Sequence, residues 1–316
     1  MDPYMDLSLT KAENTEPFVT LQSNGKAPAK EICNEKPLCG FCLSIIDGRH
    51  KDRQFCTNSC RVAAWRRNKT IERLGIANHP ILHHGKFQDY AKRYRRIIDV
   101  IITDPPYGRD FLSLYKDLAH FALDTLHPGG WLLCLTGWGL LWDIGNIFNK
   151  TRLEYVTVCT YLMPSISPLK AEKRLSTGLR KFQQKAKPLL WYQKPGSQLH
   201  RRRAGTTDLV RAHFNTCELC GSGETLEGAN VLDRQAFHWQ QCLEGFKQIA
   251  WVFANPQDVI CDPCMGSGTT LVAAYLQNRK HVIGIEKDAA PYTYATERMK
   301  ETEAGYRDMP LEEHKS

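Results

Sequence analysis

From about residue 78 onward, short apolar runs alternate with longer amphipathic segments, the mark of an α/β fold. The apolar runs predict strands at Ile81–His83, Ile97–Thr103, Trp131–Thr136, Tyr155–Tyr161, Leu189–Gln193, Val259–Cys261 and His281–Ile285. Helices are predicted over Leu112–Leu126, Leu140–Asn149, Phe237–Phe253, Thr269–Asn278 and Tyr292–Glu301. His127-Pro128-Gly129-Gly130 reads as a break between a helix and the next strand. Residues 1–32 read as a polar, poorly ordered tail and 306–316 as a second tail. Residues 33–70 hold five cysteines and end in a basic, helix-prone stretch from Cys60 to Arg67. The least regular part is 196–236.

A chain of 316 residues with 42% hydrophobic content can hold one large α/β domain plus a small appendage. It has no apolar stretch long enough to span a membrane, and its start lacks the pattern of a secretory signal. A cytoplasmic protein is the expectation. The net charge of +8 suits a polyanion partner, and the basic residues are clustered. Arg61, Arg66 and Arg67 follow the first cysteines, Lys173, Arg174 and Lys181 crowd one connection, and Arg201, Arg202 and Arg203 form a block. A solvated surface explains any one cluster, whereas several around one motif favour phosphate contacts.

That motif is Asp104-Pro105-Pro106-Tyr107, placed by the run from Ile97 to Thr103 at the carboxyl end of a buried strand. Open α/β sheets bind ligands there. A stiff turn would explain the prolines alone, but the four residues also suit a flat base bearing an exocyclic amine. Asp104 and the Pro105 carbonyl are acceptors for the amine, Pro106 stiffens the turn, and Tyr107 offers a stacking face. Such an amine is inaccessible inside a duplex, so the base has to be flipped out.

A second strand, Val259–Cys261, runs into Asp262-Pro263-Cys264-Met265-Gly266-Ser267-Gly268, and Thr269 and Thr270 open the next helix. Gly266 and Gly268 let a ligand approach the backbone. Glu286 stands twenty residues after Gly266 at the end of the following strand, where an acid can hold ribose hydroxyls. A nicotinamide dehydrogenase fits less well, because Leu271 replaces its third glycine and Asp104–Tyr107 would have no role. No Gly-Lys-[Ser/Thr] follows, which excludes a P-loop.

Together, the two motifs resemble those of the permuted, beta-group DNA amino-methyltransferases, over roughly residues 78–305. The resemblance implies a Rossmann-like, seven-stranded sheet in circularly permuted order, with a catalytic half at 78–195 and a cofactor half at 237–305. It implies methyl transfer from S-adenosylmethionine to a flipped base, with Asp104 favouring adenine N6. Asp262 would bind the methionine ammonium, and Trp239 and Gln240 would open a helix closing over that end. Base-reading elements would lie at 164–187 and 196–236. Two departures are Cys264, where the family often has Phe, and Lys86, where it commonly has Asp. N4-cytosine in DNA, adenine in RNA, and a vestigial methyltransferase serving as a DNA-binding regulator stay open. A homodimer is allowed, and a phage or plasmid restriction–modification setting would suit so compact a chain.

Twelve cysteines without a secretion signal suggest metal rather than disulfides. Cys39-x₂-Cys42-x₁₃-Cys56-x₃-Cys60 is close to a four-thiolate structural zinc site, which Cys33 could enter in place of one ligand, with a basic helix following as in small treble-clef-like fingers; free structural thiols are the alternative. Cys217-x₂-Cys220 is a weaker half-site. Cys134, Cys159, Cys242 and Cys261 sit in apolar patterns and are expected in the core.

Overall fold

The computed structural model describes residue 55 and residues 57–76, 79–162, 186–196, 209–211 and 240–307. Helix α1 (Asn58–Leu74) comes first, then β1 (Ile81–His84), β2 (Ile98–Thr103), α2 (Leu112–Thr125), β3 (Leu126–Leu135) and α3 (Leu141–Asn149). They are followed by β4 (Glu154–Leu162), β5 (Ala186–Gln193), β6 (Leu209–Arg211), α4 (Leu243–Phe253), β7 (Ile260–Asp262), α5 (Thr269–Leu276), β8 (Val282–Glu286) and α6 (Ala289–Arg307). The strands form one mixed sheet in the order β1-β8-β7-β2-β3-β5-β4-β6. All seven predicted strands are present, and β6, three residues parallel to β4, is an addition within the stretch read as irregular.

β1, β8, β7, β2 and β3 run parallel, so their carboxyl ends share one edge of the sheet. The crossover through α2 leads from β2 outward to β3, and that through α5 leads from β7 outward to β8. Neighbouring strands that depart in opposite directions leave a crevice above their ends. β5 is antiparallel to β3, with Leu189 opposite Leu135, so the start of β5 returns to the same edge.

Both faces of β2 are covered, which is why all its residues are buried and its sequence is mostly apolar, with Asp99 and Thr103 buried against partners. On one face, Val100 and Ile102 join Trp131, Trp191 and Phe253 with α4 and α5. On the other, Ile98 and Ile101 pack with Tyr115, Leu118 and Phe148 of α2 and α3. Ile71 and Ile76, at and just beyond the end of α1, belong to that second cluster. Cys134, Cys159, Cys242 and Cys261 are buried as expected.

Two expectations fail for identifiable reasons. The His127–Gly130 break is absent, because β3 starts at Leu126 and runs through it. Leu126 is already paired with Ile98, and Gly129 and Gly130 exchange backbone hydrogen bonds with Lys194 at 3.0 and 2.9 Å. Tertiary pairing outweighs the turn preference of the glycines. The helix expected from Phe237 begins instead at Leu243: Cys242 is extended at its N-cap, with φ −68° and ψ 125°, and Gln240 and Gln241 precede the helix.

Candidate active site

The turn after β2 carries Asp104, and the turn after the adjacent β7 begins at Asp262. A buried hydrogen bond joins them, Thr103 Oγ1 donating to Asp262 Oδ1 at 2.8 Å. Asp262 also accepts from the Thr270 hydroxyl and, at 3.0 Å, from the Cys264 amide. Burial, opposed by those hydrogen bonds and aided by the like charge of Asp104, raises its pKa to about 7. The groups acting on Asp262 are hydroxyls, a backbone amide and another carboxylate. An incoming ammonium would therefore add a cation that the described residues do not set against Asp262.

Gly266 and Gly268 take φ values of 52° and 79°, a region costly for side chains with a Cβ, and so fold the chain tightly between β7 and α5. Glu286 clamps this turn from β8: its Oε2 accepts from the Gly266 amide and its Oε1 from that of Asp288, each at 2.9 Å. A carboxylate has about four acceptor positions, so capacity remains for ribose hydroxyls. The end of β1 lies alongside, with His84 opposite Glu286 and exposed Lys86 two residues on. Ser267, Thr269 and Thr270 are buried, and Arg298 of α6 donates to the Ser267 carbonyl and the Thr269 hydroxyl at 3.2 and 3.1 Å. Pro263 is buried and Cys264 half-buried. Burial and the neighbouring Asp262 carboxylate push the Cys264 thiol well up, which keeps it an uncharged packing group.

At the base motif, Pro105 is buried while Pro106 and Tyr107 reach the surface. The Tyr107 hydroxyl donates to Asp104 Oδ1, so Tyr107 closes over the carboxylate. On the other side, Lys187 Nζ lies 3.8 Å from Asp104 Oδ2 and 5.0 Å from the centre of the Tyr107 ring. Burial raises the Asp104 pKa, while Lys187 and the Tyr107 hydrogen bond work against that rise. Lys187 also donates to Gln241 Oε1 at 3.3 Å. Next to it, both amide atoms of Gln240 are buried without a hydrogen-bond partner among the described residues. A buried amide left open as both donor and acceptor fits the ammonium and carboxylate of a methionine end.

Exposed aromatic groups rim this edge. Phe111, Trp138 and Trp142 are all exposed, Trp142 by 81%. Trp138 Nε1 donates to the Ala186 carbonyl at 2.8 Å, and Arg109 stands 3.8 Å from Asp143.

The structure thus brings together Asp104–Tyr107, Asp262–Thr270, Glu286 and the approach of Gln240. Arg67 belongs elsewhere. Its Nη2 donates to the Ile97 carbonyl at 2.8 Å and to Asp99, holding α1 onto β2 rather than facing a phosphate. Arg61 and Arg66 are exposed on α1. Cys60 sits in the first turn of α1, whose N-cap Thr57 accepts from the Cys60 amide. Cys39, Cys42, Cys56, Lys173, Arg174, Lys181, Arg201, Arg202, Arg203, Cys217, Cys220 and Trp239 lie outside the described residues. Sequence reasoning passed over Lys187 and Gln241 as site residues and took Thr103 only as the end of a strand. A lysine on a strand whose alternate residues are apolar was the available signal.

A family model described as DNA methylase matches residues 98–297. Among solved structures, the M1.HpyAVI–SAM complex is similar with a TM-score of 0.53 and 19% identity, over 69% of this chain and 98% of that one. The cytosine-N4-specific PvuII DNA methyltransferase is similar with a TM-score of 0.57 and 13% identity, over 73% of this chain and 92% of that one. At these identities the likeness is one of fold.

Proposed function

The chain belongs to the DNA methylase family whose model spans residues 98–297, and on that premise we propose that it is an adenine-N6 methyltransferase acting on a flipped-out base. The observation that carries the reading is the junction of the two motifs through Thr103 and Asp262, which sets Asp104 beside the glycine turn. The circularly permuted order is part of the same reading, with the base motif on β2 and the cofactor motif on β7.

When bound, S-adenosylmethionine supplies an electrophilic methyl group on a sulfonium. Glu286 would hold its ribose hydroxyls, and Asp262 and Gln240 its methionine end. Asp104 and the Pro105 carbonyl would accept hydrogen bonds from the target amine and orient its lone pair toward the methyl donor, with no enzyme residue bonded to the methyl group. Tyr107 leaves Asp104 and stacks on the base. Pro263, Ser267, Thr269 and Thr270 shape the turn, and Cys264 packs beside it.

Arg61 and Arg66 supply phosphate contacts, as do Lys173, Arg174, Lys181 and Arg201–Arg203 in the connections. Cys39, Cys42, Cys56 and Cys60 hold structural zinc, a reading that rests on their spacing and is tested by metal content per chain.

The experiment is transfer from isotope-labelled S-adenosylmethionine to unmethylated genomic DNA, followed by nucleoside mass spectrometry. Labelled N6-methyladenine is expected. Labelled N4-methylcytosine would keep the chemistry and overturn Asp104 as the base selector, whereas no label on DNA, with label on RNA in a parallel reaction, would overturn the DNA substrate.

A further inference from the structure

Lys187 is the second residue of β5, a strand antiparallel to β3, so it arrives at the carboxyl edge where Asp104 follows β2. It shares a sheet face with Leu189 and Trp191, two and four residues on, both in the core against α4. Its side chain is 17% exposed, which brings the ammonium to the base pocket from the protein side rather than from solvent. A lysine normally keeps its charged head in water, and burying it is costly without partners. Here the partners are the Asp104 carboxylate at 3.8 Å, the Gln241 amide oxygen at 3.3 Å and the face of Tyr107.

The distance to Asp104 suits an ion pair but exceeds a hydrogen bond. An ammonium has three donors, and Gln241 engages one of them. The pocket therefore offers an acceptor on Asp104 beside a donor on Lys187. An exocyclic amine next to an unprotonated ring nitrogen presents the complementary pair, a donor beside an acceptor. Adenine offers it at N6 and N1, and cytosine at N4 and N3.

We propose that Lys187 is the second base-holding residue of this site, donating to the ring nitrogen next to the amine that Asp104 binds and capping Asp104 when no base is present. This rests on reading the Asp104 pocket as the target-base site. Among the described residues, the groups facing Asp104 are Lys187 from β5, Tyr107 and Tyr115 from the turn after β2 and from α2, Cys134 from β3, and Asp262 and Cys264 from the turn after β7. Lys187 is the cation of this set, so removing it leaves burial and Asp262 to favour protonated Asp104.

The test compares wild type, Lys187→Met and Lys187→Arg for methyl transfer to unmethylated DNA across pH, with S-adenosylmethionine affinity and thermal melting measured alongside. For Lys187→Met, KM for DNA should rise about tenfold or more, the loss of a hydrogen bond from a charged donor. The acid limb of kcat/KM should move to higher pH, with cofactor affinity kept within about twofold. Lys187→Arg should restore the acid limb to its wild-type position, and this comparison decides the matter if Lys187→Met fails to fold. Transfer by Lys187→Met with unchanged KM and acid limb would overturn this role alone. A wild-type protein that transfers no methyl group to DNA would overturn the proposed function, and this role with it.

Discussion

Thr103 and Asp262 stand 159 positions apart in the chain and share a buried hydrogen bond of 2.8 Å. The bond ties the end of β2 to the start of the glycine turn after β7, so the separation of the two turns depends on it. Thr103→Val keeps the shape but removes the donor. It is expected to lower stability by about 1–2 kcal/mol and to weaken binding of S-adenosylmethionine. Urea unfolding and ligand titration measure both; unchanged values would show that the strands align without this bond.

Asp262 has a pKa of about 7 in the folded chain against an ordinary 3.8. With the folded value raised, the folded protein holds this proton more tightly. Its stabilising contribution is complete below the ordinary pKa and lost as pH rises through about 7. Asp262→Asn, which cannot titrate, should therefore lose less stability than wild type between about pH 5 and pH 8. Urea midpoints across that range measure the slopes. Parallel slopes in the two proteins would refute the assignment.

Arg67 and Asp99 form an ion pair with side chains 17% and 8% exposed, and Asp99 also accepts from the Val259 amide at 2.8 Å. Arg67→Ala strands that carboxylate and should cost about 3 kcal/mol of stability. The salt dependence of DNA binding should not change. A shallower salt slope at unchanged stability would return Arg67 to the DNA surface.

Arg61 and Arg66 face solvent on the same helix. If each meets one phosphate, replacing both by Ala should reduce the slope of log K against log salt by about 1.8, from about 0.9 per contact on duplex DNA. Binding titrations at several salt concentrations read this directly. An unaltered slope would assign the exposed face of α1 another partner.

The placement of the two motifs at one edge of the sheet was largely legible in sequence because its signals are local. A run dominated by apolar residues identifies a doubly covered strand such as β2, and the residues after it fall at the strand's end. The same logic found the Asp262–Thr270 turn and the buried cysteines. What escaped was set by partners distant in sequence. Gly129 and Gly130 look like a break until Lys194 pairs with them. Arg67 looks like one more cation of a basic helix until Asp99 meets it across 32 positions. Lys187 is ordinary in its own segment, and the antiparallel return of β5 alone brings it to Asp104.

Cofactor binding and transfer measured together in Asp104→Ala test the division of labour between the two strand ends most directly. Asp104 lies outside the set of residues assigned to hold the cofactor. S-adenosylmethionine should therefore bind within about twofold of wild type, while transfer falls by about a thousandfold or more for loss of a preorganised acceptor. Transfer persisting within about tenfold of wild type, or cofactor binding lost along with it, would contradict a site in which β2 presents the base and β7 the methyl donor.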